Sequence, residues 1–301
     1  MQTIGVLAAE HISVGLVENN RLVGKIRTVP ENTSDSNFLL EMPAQDIVEA
    51  LREQIEFVRK DDHVSTVGVG FPGIITNGVV EESPNLQQIK GHDLATALSF
   101  LLSEGGTPTT VHVMNDADAF AAGIAATKGL LDRLVRVWTL GTGIGFGRYP
   151  QAPGVWEGGH VVVTLDPKET YCNCGGRGHL EGVMGHRAMR RRFLDLEPDE
   201  VFAQARNGDK RCADFVKLWH QALAAATAST IHMAGPGKFF ISGHYSKYMD
   251  TGLLDLYVRE MVHMSPLQGS TFEVVSTEDE TGIIGAALNA EHLGAQASLP
   301  A

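Results

Sequence analysis

Cys172-Asn173-Cys174, followed by Gly175, Gly176, Arg177, Gly178 and His179, places two thiols and an imidazole within eight residues. With His160 upstream the set becomes His, Cys, Cys, His, four soft or borderline donors suited to tetrahedral zinc. Four protein donors leave no position for water, so a zinc held there would be structural. The loop glycines let the chain wrap an ion, which favours a metal over two unrelated buried thiols. Cys212 sits in a helical pattern and reads as a small apolar residue.

Asn115-Asp116-Ala117-Asp118 closes an apolar run and opens a helical one. A carboxylate there can accept the proton of a hydroxyl that attacks phosphorus. Asp116 or Asp118 can equally cap the helix, the commoner use of Asp at such a place. Gly141-Thr142-Gly143-Ile144-Gly145-Phe146-Gly147 lies between two strands. Alternating glycines let backbone N–H groups approach phosphate oxygens with no Cβ in the way. No helix follows, so this is not the dinucleotide fingerprint, and a plain glycine hairpin explains it as well as a phosphate loop does. Glu157 and Glu181 flank the metal ligands. A folded metal loop would hold these two carboxylates together, as polyol binding needs; two solvated surface charges are the alternative.

The apolar pattern shows what positions these groups. Strands are predicted over 2–8, 12–18, 21–29, 64–71 and 110–114, and helices over 44–58, 94–102 and 117–127. A second set follows: strands over 136–140, 145–149 and 159–165, then helices over 181–192, 199–206 and 210–234. Strand 239–242, helix 252–264, strand 271–275 and an Ala/Gly-rich helix over 282–293 complete it. Strands, a glycine turn and helices, in that order twice, read as two α/β halves around a cleft. His63, His92, His186, His220 and His232 fall in helical or loop contexts that suit surface or capping roles.

With 301 residues the chain has room for two domains. Lys and Arg number 24 against 36 Asp and Glu, a net charge of −12 that argues against nucleic acid and anionic membrane partners. No apolar run approaches the roughly 20 residues that span a bilayer. Three cysteines are too few for a disulfide scaffold. Met1–Val6 runs straight into a strand pattern without a basic region or cleavage site, so a cytoplasmic protein is expected.

Together these features resemble the ROK family of repressors and sugar kinases, within the actin-like ATPase superfamily. The likeness runs through Gly70-Phe71-Pro72-Gly73, Gly78-Val79-Val80, Ser83-Pro84-Asn85-Leu86, Asn115-Asp116-Ala117, Leu140–Gly147, Glu157-Gly158-Gly159-His160 and Cys172–Glu181. It implies two actin-like (ribonuclease H-like) α/β domains: an N-terminal one over 1–117, completed by a C-terminal helix at about 282–301, and a larger one over 118–281 carrying the zinc loop. It also implies Asp116 as general base, sugar contacts from Asn115, Asp116, Glu157, His160 and Glu181, and nucleotide contacts from Gly141, Thr142, Gly143, Gly145 and Gly243. His160, Cys172, Cys174 and His179 would bind zinc, ATP and Mg²⁺ would serve catalysis, and a homodimer is expected.

Four segments depart from the pattern. Leu7-Ala8-Ala9-Glu10-His11 stands where the family kinases carry Asp-x-Gly-Gly-Thr, and His179 stands for the third zinc Cys. Ser242-Gly243-His244 replaces Gly-Gly-Gly, and Phe146 replaces a Gly. A Leu cannot orient hydrated Mg²⁺. Two functions follow from the resemblance. One is an ATP-dependent sugar kinase acting on a hexose or N-acetylhexosamine, at C6. The other is a sugar-binding relative, non-catalytic or very weakly active, that has lost nucleotide binding. The repressor members carry an N-terminal helix-turn-helix, whereas a strand pattern starts here at residue 2, so DNA binding is not expected.

Overall fold

The strand-forming residues Gln2–Ala8 (β1), Ile12–Glu18 (β2) and Arg21–Val29 (β3) pair as an antiparallel meander. The structure is a computed structural model that describes residues 2–31, 38–60, 64–103, 106, 108–152 and 154–297, so His63 and residues 298–301 lie outside it. Two units divide the chain, unit 1 with residues 1–135, 147–155 and 278–301, and unit 2 with 136–146 and 156–277.

In unit 1, helix α1 (Ala44–Arg59) precedes β4 (Thr66–Phe71), and a small hairpin, β5 (Ile74–Thr76) and β6 (Val79–Glu82), follows. Asn77 and Gly78, both at positive φ, turn that hairpin as an Asn-Gly pair does. It is absent from the elements predicted above. Helix α2 (Leu94–Ser103), β7 (Thr110–Asn115) and α3 (Asp116–Thr127) come next. The sheet order is β3-β2-β1-β4-β7, with β4 parallel to β1 and β7. Side-chain alternation splits the two faces. Ile4, Val6, Val67 and Val69 join Ile47, Leu51 and Ile55 of α1 and Leu94 and Leu98 of α2 in one core. On the other face, Gly5 and Gly68 lie directly under the backbone of the last helix, α9 (Asp279–Ala297).

Helix α9 also crosses α3 at backbone contact. A Cβ on Gly123 would stand 1.8 Å from Thr281 O, and one on Gly285 1.7 Å from Ala119 O. This contact keeps α3 in unit 1, so the changeover comes at 135, where the sequence placed a boundary at 117. Gly123→Ala should destabilise unit 1 by about 2 kcal/mol or more, because backbone cannot yield as a side-chain tip can. A urea midpoint unchanged from the parent would contradict that crossing.

Unit 2 is built on a sheet of order β11-β10-β8-β9, from β8 (Val135–Leu140), β9 (Ile144–Tyr149), β10 (Lys238–Ser242) and β11 (Thr271–Val274). Its helices are α4 (Leu180–Met184), α5 (His186–Arg192), α6 (Pro198–Arg206), α7 (Lys210–Ala234) and α8 (Thr251–Met261). Trp138, Met184, Trp219, Phe239 and fully buried Cys212 share the core.

Three predicted elements differ. The helix expected over 181–192 breaks at Gly185, whose extended ψ of 150° turns the chain so that His186 N donates to Gly141 O. The strand expected over 159–165 is a short turn, Gly158–His160, followed by one isolated bridge, Val162 to His179. The helix expected to reach 264 stops at Met261. His220 is buried, not a surface residue: its ring bonds Val216 O and accepts from Asp250 N. Among the described residues, no helix is long and apolar enough to cross a membrane.

Candidate functional site

Backbone pairing assembles the Cys/His cluster of unit 2. Leu180 N donates to Val161 O and Val163 N to Gly178 O, which brings His160 and His179 level across the bridge. Gly178 has φ +71°, and a Cβ there would strike Thr164 O at 2.0 Å, so only glycine lets the two segments meet. Arg192 braces the loop from α5. Its guanidinium pairs with both oxygens of Glu169, at 2.9 and 2.5 Å, and lies over the Tyr171 ring.

One donor atom from each of His160, Cys172, Cys174 and His179 falls within 4.8 Å of all the others. The Cys172 and Cys174 sulfurs are 3.3 Å apart, Cys172 Sγ is 3.5 Å from His160 Nδ1, and Cys174 Sγ is 3.2 Å from His179 Nδ1. Metal–sulfur bonds of about 2.3 Å at the tetrahedral angle imply a sulfur separation near 3.8 Å, so a small inward or outward adjustment seats one ion. A disulfide would need about 2.05 Å, and all three cysteines are free. Burial, followed by Cys174 and Glu181 alongside, pushes the Cys172 thiol up to about 12. Burial and then His160 lower the pKa of His179, which keeps its imidazole neutral and ready to donate electrons.

Glu181 ties this cluster to the glycine turn. Its Oε2 accepts from Ile144 N at 3.1 Å, while Cys172 Sγ donates to its Oε1 at 3.7 Å. Glu181 is therefore no free surface charge. Glu157 stands 3.8 Å from His160 Nε2, and the next residue, Gly158, lies flat on the Trp138 ring, where a Cβ would approach within 2.8 Å. Glu157, His160 and Glu181 thus ring the same loop in unit 2.

The strand ends of β8 and β10 bring Gly141 and Gly243 together. Gly243 has φ +95°, and a Cβ on it would sit 2.4 Å from Leu140 O. Its N–H donates to Thr277 Oγ1 at 2.7 Å, and Gly141 N donates to Gly143 O. Gly143 abuts the Glu181 carboxylate, where a Cβ would meet Oε2 at 2.6 Å. Thr142 continues the same turn, and Gly145 follows inside β9. His244 does not occupy this turn with its ring, which reaches Asp199 at 3.1 Å. Asp199 also accepts from Tyr248 Oη at 2.6 Å and Lys247 Nζ at 2.8 Å. Burial pushes its pKa up, but hydrogen bonds from Lys247, Tyr248 and His244 outweigh that and hold it well below the carboxylate range.

In unit 1 the N-cap of α3 is Asn115, whose Oδ1 accepts from Ala117 N at 2.9 Å, rather than Asp116 or Asp118. Asn115 Nδ2 donates to Gly73 O, which leaves one amide hydrogen and one lone pair for a ligand. Asp118 is buried and accepts from Arg148 N at 2.9 Å. Asp116 keeps a partly exposed edge, and burial of its carboxyl raises the pKa above the usual carboxylate range, against backbone N–H groups of Ala117 and its own residue.

The segment 7–11 carries a pairing that sequence spacing cannot signal. His11 Nε2 donates to Asp279 Oδ2 at 2.7 Å and Ser13 Oγ to the same oxygen at 2.6 Å, across more than 260 residues. Leu7 lies against Gly282 and offers no oxygen to a cation. The Asp279 hydrogen bond, opposed by burial, raises the His11 pKa above 6.5; in Asp279, burial is outweighed by His11 and Ser13, and its pKa falls below 3.8. The His11 contribution to stability is complete below pH 6.5 and lost as pH climbs through its raised folded value. The Asp279 contribution is present above 3.8 and lost as pH drops through its lowered folded value. Asp279→Asn should return the His11 titration toward 6.5 in imidazole NMR, and an unmoved titration would refute the pairing.

A model of the ROK family matches residues 22–292 of the chain. A glucokinase from Thermotoga maritima is 31% identical over 322 aligned positions, covering 95% of this chain and 96% of that protein. The crystal structure of a ROK hexokinase from Thermus thermophilus superposes with a TM-score of 0.78 at 22% identity, covering 99% of this chain and all of that one. A ROK family glucokinase from Streptomyces griseus, solved with glucose and AMPPNP, gives a TM-score of 0.64 at 22% identity over 97% of this chain and all of its own. The two-domain actin-like fold is the fold of this chain.

Proposed function

The chain belongs to the ROK family, and on that premise we propose that it is a sugar kinase, transferring the γ-phosphoryl group of ATP to a hexose or N-acetylhexosamine. The accepting hydroxyl in this reading is the one on C6. Support comes from end-to-end likeness to a glucokinase, and from Asp116 above all, a partly buried carboxylate with a raised pKa where a strand passes into a helix.

Asp116 takes the proton of the attacking hydroxyl. A base of raised pKa holds that proton better than an ordinary carboxylate does. Asn115 offers its remaining amide hydrogen to the sugar. In unit 2, Glu157, His160 and Glu181 accept or donate hydrogen bonds to sugar hydroxyls, and their positions are fixed by the metal loop. The turn through Gly141, Thr142, Gly143 and Gly145, with Gly243 beside it, lies against the phosphates in this reading, because its glycines put no Cβ in their way. Mg²⁺ arriving with ATP supplies charge neutralisation when bound, and Leu7 adds no ligand to it.

The metal in this reading is zinc. Two thiols and two imidazoles whose donor atoms lie within 4.8 Å of one another suit it, and a closed four-donor set serves structure. Titration calorimetry with Mg-ATP, with and without glucose or N-acetylglucosamine, tests the whole reading. A kinase binds both and releases ADP in the presence of its sugar. Sugar binding with no nucleotide binding would overturn the kinase and leave a sugar-binding protein in its place.

A further inference from the structure

The two sulfurs of the metal loop are nearer to each other than a tetrahedral site requires. They stand 3.3 Å apart against about 3.8 Å, and closing a disulfide takes a further approach of about 1.3 Å. Cys174 is exposed and Cys172 is buried, so one sulfur meets solvent reagents first and the other waits as its partner. Gly175 at φ +82° and Gly176 follow directly, and nothing lies within 4 Å of a Cβ built on Gly175. Gly175 thus has both the backbone freedom and the space to shift, while Gly176 lies against the His179 ring. The remaining cysteine, Cys212, is fully buried in α7 and belongs to a different part of unit 2. With His179 in the donor set in place of a third Cys, no other thiol competes for either sulfur.

We propose that Cys172 and Cys174 are a peroxide-sensitive thiol pair whose oxidation to one intramolecular disulfide dismantles the metal site. Cys174 Sγ attacks a peroxide oxygen, the O–O bond breaks, and a sulfenic acid forms with release of water. Cys172 Sγ then attacks the Cys174 sulfur, the S–O bond breaks, and a second water leaves. Across both steps two thiols give up two hydrogens and two electrons to one hydrogen peroxide. The loop then keeps His160 and His179 but neither thiolate, and two imidazoles alone hold a divalent ion far more weakly than the full set. An exposed bond of this kind is open to thiol reductants, which makes the change reversible.

The proposal rests on the metal reading only for what is lost, and the test separates the two. The full chain, loaded with zinc, is treated with a few equivalents of hydrogen peroxide. Intact mass, free thiols and released zinc are then read together. The expected product is lighter by two hydrogens, retains one of three thiols, and has released its zinc; dithiothreitol with added zinc restores the starting state. Cys212→Ala should behave in the same way, and Cys174→Ser should never lose the two hydrogens. Should either Cys variant fold poorly, the parent chain stripped by a chelator gives the disulfide readout without zinc. A gain of oxygen mass, or covalent dimers, without the two-hydrogen loss would overturn the disulfide. A preparation that carries no zinc yet loses two hydrogens would uphold the thiol pair and sink the metal reading instead.

Discussion

Asp116→Asn should lower kcat by at least about 10²-fold while sugar affinity stays within about tenfold. The substitution is close to isosteric, and Asn115, the N-cap of α3, keeps its own bond from Ala117 N. Packing and local backbone are therefore retained, and what disappears is a group able to take a proton. The pH profile carries a second signature. Burial raises the Asp116 pKa, so activity of the parent should fall as pH drops through that raised value and the base becomes protonated. The variant's residual rate should lack this acidic limb. A coupled ADP-release assay across pH measures both effects. An unaltered kcat would remove Asp116 from proton transfer.

The second large effect concerns the metal loop. Cys172→Ser, or removal of the ion by a chelator, should weaken sugar binding by about tenfold or more. The metal loop runs straight into α4, whose Glu181 Oε2 accepts from Ile144 N, so losing the metal loosens a carboxylate and the glycine turn together. Trypsin should then cut after Arg177, between Cys174 and His179. Metal analysis of the parent should find one tightly held zinc per chain. A metal-free preparation with full sugar affinity would contradict this account.

What could be read from the sequence was local. Cys172, Cys174 and His179 sit within one loop, so their spacing alone announces a donor set, and the structure places His160 with them. The α/β alternation was legible because strands such as Thr66–Phe71 and helices such as Ala44–Arg59 carry strong, unambiguous periods. Pairings across long stretches of chain were not. His11 with Asp279, and His244 with Asp199, are joined by folding and leave no spacing to detect. The helix break at Gly185 escaped for a related reason. Its cause is the hydrogen bond from His186 N to Gly141 O, supplied by a distant turn, and one glycine in a helical pattern does not forecast a break. The short turn at Gly158–His160 likewise replaces a strand because Gly158 seats on Trp138.

Gly5 and Gly68 leave a shallow bed on the sheet of unit 1 that only the backbone of α9 fills, and α9 follows all of unit 2 in chain order. On the ribosome, then, every part of unit 2 emerges before the helix that covers that bed. The nascent chain must hold β1 and β4 with one face bare throughout synthesis of residues 156–277. Unit 2 lies within the chain span of unit 1, and strands β1 and β4, made before it, are among the last elements to be sealed.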